Sequence, residues 1–318
     1  MILAWFYCGL GLLMLVLAGD LLVKGAVNLS LRLGVPALIV SLTIVAFGTS
    51  APELLVAIKA TLNDAPGIAL GNVVGSNIAN ILLVLGIPAL LARLHTSECD
   101  TRKSFVMMIA ASVLFIALVF RGTLGVGAGL ILLAALALVL GDNIWDARCH
   151  RKAGEDQDDE LEGLDEADPD MPYWRIALYL VLGLVGLPMG ASLLVDSATE
   201  IALAYGVSQS VIGLTLVAVG TSLPELATTV MAALRRQADV ALGNVIGSNV
   251  FNLLAIIGVA SFFGPIRVDP EFLDFDVWVM LASALLMIPF VFFKRDITWP
   301  WGLALVTLYG AYVAAILY

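Results

Sequence analysis

The chain has 318 residues, 61% hydrophobic and 13% charged, with a mean hydropathy of +1.01. A soluble domain of this length carries far more charge, so composition excludes a soluble globular protein and points to a multi-pass membrane protein. The formal net charge of −10 is local: residues 155–170 hold ten acids and no base, the rest balances at 16 acids and 16 bases, and no basic surface remains for a nucleic acid.

Ten apolar segments follow one another along the chain, at about 2–24, 35–62, 66–92, 104–120, 122–141, 173–198, 207–234, 239–263, 273–293 and 298–317. The first lacks a basic leader and a small-residue cleavage site, so it reads as a retained helix. The expected architecture is all-α, with ten transmembrane helices. A first transmembrane repeat spans 1–141, an acidic loop 142–172 and a second repeat 173–318. The acidic run reads as a solvated linker; the spacing of a calcium-binding EF-hand loop is absent.

Five spans per half make the second half enter from the opposite side, so the repeats are expected to be inverted. With the N-terminus outside, 13 of the 16 Lys and Arg residues fall on the cytoplasmic side and three, Lys59, Arg121 and Arg267, on the outer side. The positive-inside rule then places both termini outside and the acidic loop in the cytoplasm. Cys8, Cys99 and Cys149 are far apart, form no C-x-x-C motif and are expected as free thiols; His95 and His150 read as loop residues.

The halves are copies. Residues 48–86 (GTSAPELLVAIKATLNDAPGIALGNVVGSNIANILLVLG) match residues 220–258 (GTSLPELATTVMAALRRQADVALGNVIGSNVFNLLAIIG) without a gap, at an offset of 172, with 19 of 39 positions identical. The repeated polar residues are nearly all oxygen donors: Thr49/Thr221, Ser50/Ser222, Glu53/Glu225, Asn72/Asn244, Ser76/Ser248, Asn77/Asn249 and Asn80/Asn252. A carboxylate at bilayer depth is expensive, which makes Glu53 and Glu225 functional candidates. The preceding Gly-Thr-Ser-x-Pro predicts a broken helix whose freed carbonyls line a polar cavity. Ser50-x-x-Glu53 and Ser222-x-x-Glu225 also read as capping boxes with Pro in the first turn.

In the second cluster, Ser76 and Asn80 share a helix face, as do Ser248 and Asn252. Asn80 and Asn252 are expected to contact an ion; for Asn72/Asn244 and Asn77/Asn249, helix bonding and ion contact stay equally open. Two glutamates match one Ca2+ or two Na+, and neutral oxygens suit these hard cations. A site neutralised by either ion, and not by both together, is the physical basis of antiport. Asp20 and Lys24 are expected to pair (i, i+4), and Asp196 and Glu200 to lie toward or beyond the end of the sixth segment, all four as structural or interfacial residues.

The paired motifs GTSAPE…GNVVGSNIAN and GTSLPE…GNVIGSNVFN closely resemble the α-1 and α-2 repeats (here 43–86 and 215–258) of the calcium/cation antiporter superfamily, in its prokaryotic sodium/calcium exchanger branch. The resemblance implies that Glu53 and Glu225 are central ligands for both ions, with Asn80 and Asn252 at the remaining central positions. It implies flanking Na+ sites built by Thr49, Ser50, Thr221, Ser222, Ser76 and Ser248 with the carbonyls of Ala46 and Ala218. Asn252, where the potassium-dependent branch carries Asp, argues against K+ dependence. The expected activity is Na+/Ca2+ antiport across the cell membrane by alternating access, with helices 1 and 6 moving against the core. Ca2+/H+ exchange at the same glutamates, or a cation channel, are the alternatives. No enzyme chemistry, cofactor or obligatory protein partner is called for; Ca2+ and Na+ are the substrates, the bilayer is the partner and a monomer suffices.

Overall fold

The computed structural model describes residues 2–153, 168, 170–206 and 218–317. Within them, eight helices are long and apolar enough to cross a membrane, or nine if one bent pair counts as a single span. They are α1 (Ile2–Leu33), the bent pair α2 (Ala37–Thr49) and α3 (Ala51–Leu62), α4 (Pro66–Leu91), α5 (Arg102–Val119), α6 (Val126–Ala153), α7 (Tyr173–Ala204), the shorter α8 (Leu223–Leu234), α9 (Ala238–Ala260), α10 (Phe272–Phe292) and α11 (Trp299–Leu317). Lipid offers no hydrogen bonds, so an apolar chain that crosses it must satisfy its own backbone as helix. The first stretch of the expected span 207–234 lies outside the described residues.

Three boundaries differ from expectation. α1 runs to Leu33 rather than 24 and turns at Gly34 (φ 65). α7 runs to Ala204, so Asp196 and Glu200 lie within it. α6 continues past 141 to Ala153, so the expected loop begins as helix. Asp142 and Asp146, one turn apart, both reach Lys103 of α5, at 2.6 and 2.7 Å, and this tie supports the polar end of α6 against solvent.

Burial divides the helices into two groups. In α4 and α9, 83% and 94% of the apolar window is buried, against 28% in α1, 22% in α7, 17% in α6 and 11% in α11. The repeated block therefore forms the centre, and the other helices face lipid. Between helices in lipid, close packing replaces the hydrophobic drive, and small residues permit it. A Cβ on Gly243 or Gly247 of α9 would lie 2.7 Å from Ser41 Cβ or 2.6 Å from Ala46 Cβ of α2. Ser41 Oγ also donates to Val240 O at 2.7 Å. α1 and α7 touch the same way twice: Gly11 faces the backbone of Leu194, and Gly183 faces Leu22, both pairs related by the offset of 172.

The loops repeat the exchange. Leu94, after α4, bridges Ile297, before α11. A two-stranded ribbon, β1 (Thr123–Leu124) and β2 (Ile266–Arg267), pairs Leu124 with Ile266 antiparallel. Leu94 and Ile266 are equivalent at the same offset, so each half's loop pairs with the other half.

Candidate functional site

Both helix breaks have one geometry. Ser50 (φ −85, ψ 7) precedes α3 and Ser222 (φ −87, ψ 4) precedes α8, each with Pro in the first turn. α3 departs from α2 by 44°. The break leaves Glu53 and Glu225 one turn inside new helices, each 1% exposed.

The expected capping boxes are not formed. Neither Ser50 nor Ser222 makes a side-chain cap bond. Ser50 Oγ instead donates to Glu225 Oε1 of the other half at 3.1 Å. A carboxylate is a better acceptor than a local capping partner, and it is 175 residues away, where local spacing cannot reveal it. Thr49 also crosses between halves: its Oγ1 lies 3.2 Å from Asn244 Oδ1 and 3.3 Å from Ala46 O.

The asparagines fall into two layers. Asn72 Nδ2 donates to Glu53 O and Asn244 Nδ2 to Glu225 O, each at 3.3 Å. These amides hold the backbone of the glutamates and are helix-bonding residues. Asn77 Nδ2 faces Met280 Sδ at 3.8 Å, and Asn249 Nδ2 faces Met108 Sδ at 3.6 Å. A thioether only accepts, so each of these amides turns its oxygen the other way. Asn249 Oδ1 then receives Asn80 Nδ2 at 3.0 Å, and Asn77 Oδ1 receives Asn252 Nδ2 at 3.4 Å. The chain of donors engages the NH2 groups of Asn80 and Asn252 and leaves their oxygens bare.

Six buried oxygens result with no hydrogen-bond partner: Glu53 Oε2, Glu225 Oε2, Asn80 Oδ1, Asn252 Oδ1, Ser222 Oγ and Ser248 Oγ. An unsatisfied buried polar atom costs about 1–3 kcal/mol, more if charged. Two twin positions of the two halves, Glu53/Glu225 and Asn80/Asn252, supply four of the six, and the second half alone adds Ser222 and Ser248. Their chemistry suits a hard cation, which carboxylate, amide and hydroxyl oxygens can coordinate together.

The other expected residues lie around this group. Ser76 and Ala46 are buried. Ala218 opens the short helical turn Ala218–Gly220 that leads to Ser222. Thr221 is half-buried and lines a cavity of about 200 Å³ with Pro52, Ser192 and Asp196. Asp20 and Lys24 pair at 3.1 Å as expected, and Arg235, just after α8, joins the same carboxylate. Cys8 and Cys99 are free thiols.

Sequence reasoning missed two features. Asn80 and Asn252 each open a π-helical turn, Asn80–Val84 and Asn252–Ile256. Such turns insert an extra residue and re-phase the helix, often where function sits. Met108 and Met280, which orient the outer amides, also stand at the 172 offset; extending the repeat beyond residue 258 would have found them.

Comparison with known proteins identifies the family of the chain. The sequence profile of the family described as "Sodium/calcium exchanger protein" matches residues 3–144 and 175–318. The chain is 34% identical to "Sodium/calcium exchanger MaX1" of Methanosarcina acetivorans, over 97% of each chain. It is 36% identical to "Putative antiporter CaxA" of Alkalimonas amylolytica, over 91% of this chain and 89% of the relative. Its fold superimposes on a solved structure of the sodium-calcium exchanger NCX_Mj with a TM-score of 0.81 and 32% identity, covering 99% of both chains. This multi-pass, all-helical membrane protein belongs to the sodium/calcium exchanger family.

Proposed function

We propose that the chain exchanges Na+ for Ca2+ across the cell membrane by alternating access, and that the six unpartnered oxygens and their neighbours are its ion site. The observation that carries this reading is the duplicated donor set: two buried carboxylates and two bare amide oxygens, with no cationic side chain bonded to them among the described residues. Two negative charges are neutralised by one Ca2+ or by two Na+, so either load removes the penalty of carrying bare charge through an occluded state. Glu53, Glu225, Asn80 and Asn252 form the centre. Thr49, Ser50, Ser76, Thr221, Ser222 and Ser248 with the carbonyls of Ala46 and Ala218 complete flanking Na+ positions.

The proposed frame is ten spans in two inverted repeats, 1–141 and 173–318, joined by the acidic loop, with both termini outside the inner membrane. In that frame the cavity at Thr221 opens outward, because it is lined by the later half of α7. The opposite side is closed: a Cβ on Gly19 of α1 would lie 3.0 Å from Ala227 O of α8. The access change is a displacement of α1 and α7 together against the core of α4 and α9.

The test is competition. Ca2+ that binds only the folded protein raises its melting temperature, by linkage. Saturating Na+ is expected to erase the extra shift produced by added Ca2+ in purified protein. Additive shifts from the two ions mean separate sites and refute the shared one.

A further inference from the structure

Away from the oxygen cluster, α6 stands apart from the α1–α2 elbow and leaves a cleft of about 410 Å³. Its walls are apolar, from Leu33 and Ile39 on one side and Leu140 and Ile144 on the other. Leu33 and Ile144 are 38% and 52% exposed, so the cleft opens to the lipid-facing surface. Three polar residues share it, of which Thr43 is already taken up, its Oγ1 donating to Ile39 O at 2.8 Å. Asn143 is 7% exposed, lines the cleft, and its side chain makes no hydrogen bond among the described residues. Arg148 lines the same cleft and has no ion-pair partner among the described residues.

The Asn143 amide is therefore free to bond an occupant of the cleft, and an apolar cleft lined by lipid-facing residues is filled by acyl chains rather than water. Five residues of helix separate Asn143 from Arg148, a rise of about 7.5 Å. An amide at one depth and a guanidinium one turn and a half further out match the order of groups in a phospholipid: chains, ester carbonyls, phosphate. Arg is the side chain suited to bind a phosphate by paired hydrogen bonds.

We propose that this cleft is a binding site for one anionic phospholipid, with its acyl chain between α2 and α6, an ester carbonyl accepting from the Asn143 amide and its phosphate on Arg148. The site lies beside the elbow of α1, one of the two helices proposed to move, so an occupant there bears on the resting position of α1.

The experiment is native mass spectrometry of the full-length protein titrated with phosphatidylglycerol or phosphatidylcholine. One phosphatidylglycerol is expected to bind in preference to phosphatidylcholine. R148Q is expected to weaken it about fivefold, the effect of one basic residue on an anionic lipid, while R175Q, outside the cleft, leaves it unchanged. I144W, which fills the cleft and keeps Arg148, is expected to abolish the adduct. Free glycerol 3-phosphate is expected not to compete, since the chain is half of what is recognised. Equal binding of the two lipids, unchanged binding in R148Q, retention in I144W, or displacement by glycerol 3-phosphate would each overturn the proposal.

Discussion

The two faces of the α1–α7 pair are built from equivalent residues and meet the core differently. On one face Gly19 packs on Ala227 of α8, and Asp20 joins Arg235 while also pairing with Lys24. On the other face the equivalents of Gly19, Asp20 and Lys24 are Ala191, Ser192 and Asp196, and all three line the cavity at Thr221. Ser192 donates to Asp196 within α7 at 3.2 Å rather than reaching the core. The amide layer of the site keeps its two-fold pairing, in the twin bonds of Asn72/Asn244 and Asn80/Asn252. Symmetry is thus held by the amides and broken at the hydroxyls, where Ser50 reaches Glu225 while Ser222 has no partner, and at the two faces of the α1–α7 pair. In the proposed alternating-access cycle, exchanging the two faces is what would reverse access.

The largest effect is expected where the halves remain alike. Glu53→Gln and Glu225→Gln should each remove coupled exchange by at least about 100-fold, since each leaves one charge against a divalent ion. A variant that inserts normally and exchanges normally would break the equivalence of the two halves. Next come the residues that orient the inner amides. Asn77→Ala and Asn249→Ala should each weaken Ca2+ binding by about 10–100-fold, the usual effect of removing an outer-shell partner. Isothermal titration distinguishes this from an effect on Asn80 or Asn252 alone, and a large difference between the two variants would mean that the site is not symmetric.

Smaller effects belong to the asymmetric faces. Asp20→Asn removes a pair whose carboxylate is 18% exposed, and a partly exposed ion pair contributes about 1 kcal/mol. The closed face should open more often, lowering by about fivefold the labelling of Thr221→Cys by an impermeant thiol reagent applied from the cavity side. Unchanged labelling would separate this ion pair from access. The smallest effect concerns the loop bridge of Leu94 and Ile297. Burial pushes the Asp296 carboxyl up, but hydrogen bonds from Ser97 and the Arg93 guanidinium outweigh it and hold the group below the usual carboxylate range. Its contribution is therefore present above the unfolded value of about 3.9 and lost as pH falls through the folded value. Amide exchange at Leu94 should accelerate only below about pH 4, and Asp296→Asn should remove that dependence. The ribbon of Leu124 and Ile266, which has Leu124 near the place of Asp296, should lack it.

Much of this was legible in the sequence because the repeat is written in residue types. The offset of 172 brought Glu53, Glu225, Asn80 and Asn252 forward, and Gly-Thr-Ser-x-Pro marked both helix breaks before any contact was known. What stayed hidden depended on partners distant in sequence. Ser50 is a capping residue by spacing and a ligand of Glu225 by geometry. Asn72 and Asn77 look alike on a helix, and only the positions of Glu53 O and Met280 Sδ separate their tasks. The π turns at Asn80 and Asn252 change helix phase by one residue without altering composition. The extra turns of α6 past residue 141 rest on Lys103, contributed by another helix.

The most direct test of the exchanger reading is 45Ca2+ uptake into proteoliposomes loaded with Na+, with and without an outward Na+ gradient and with the proton gradient clamped. Uptake that requires internal Na+ and fails without it is the predicted result. Uptake indifferent to Na+ would contradict it and pass the glutamates to proton exchange or to a channel.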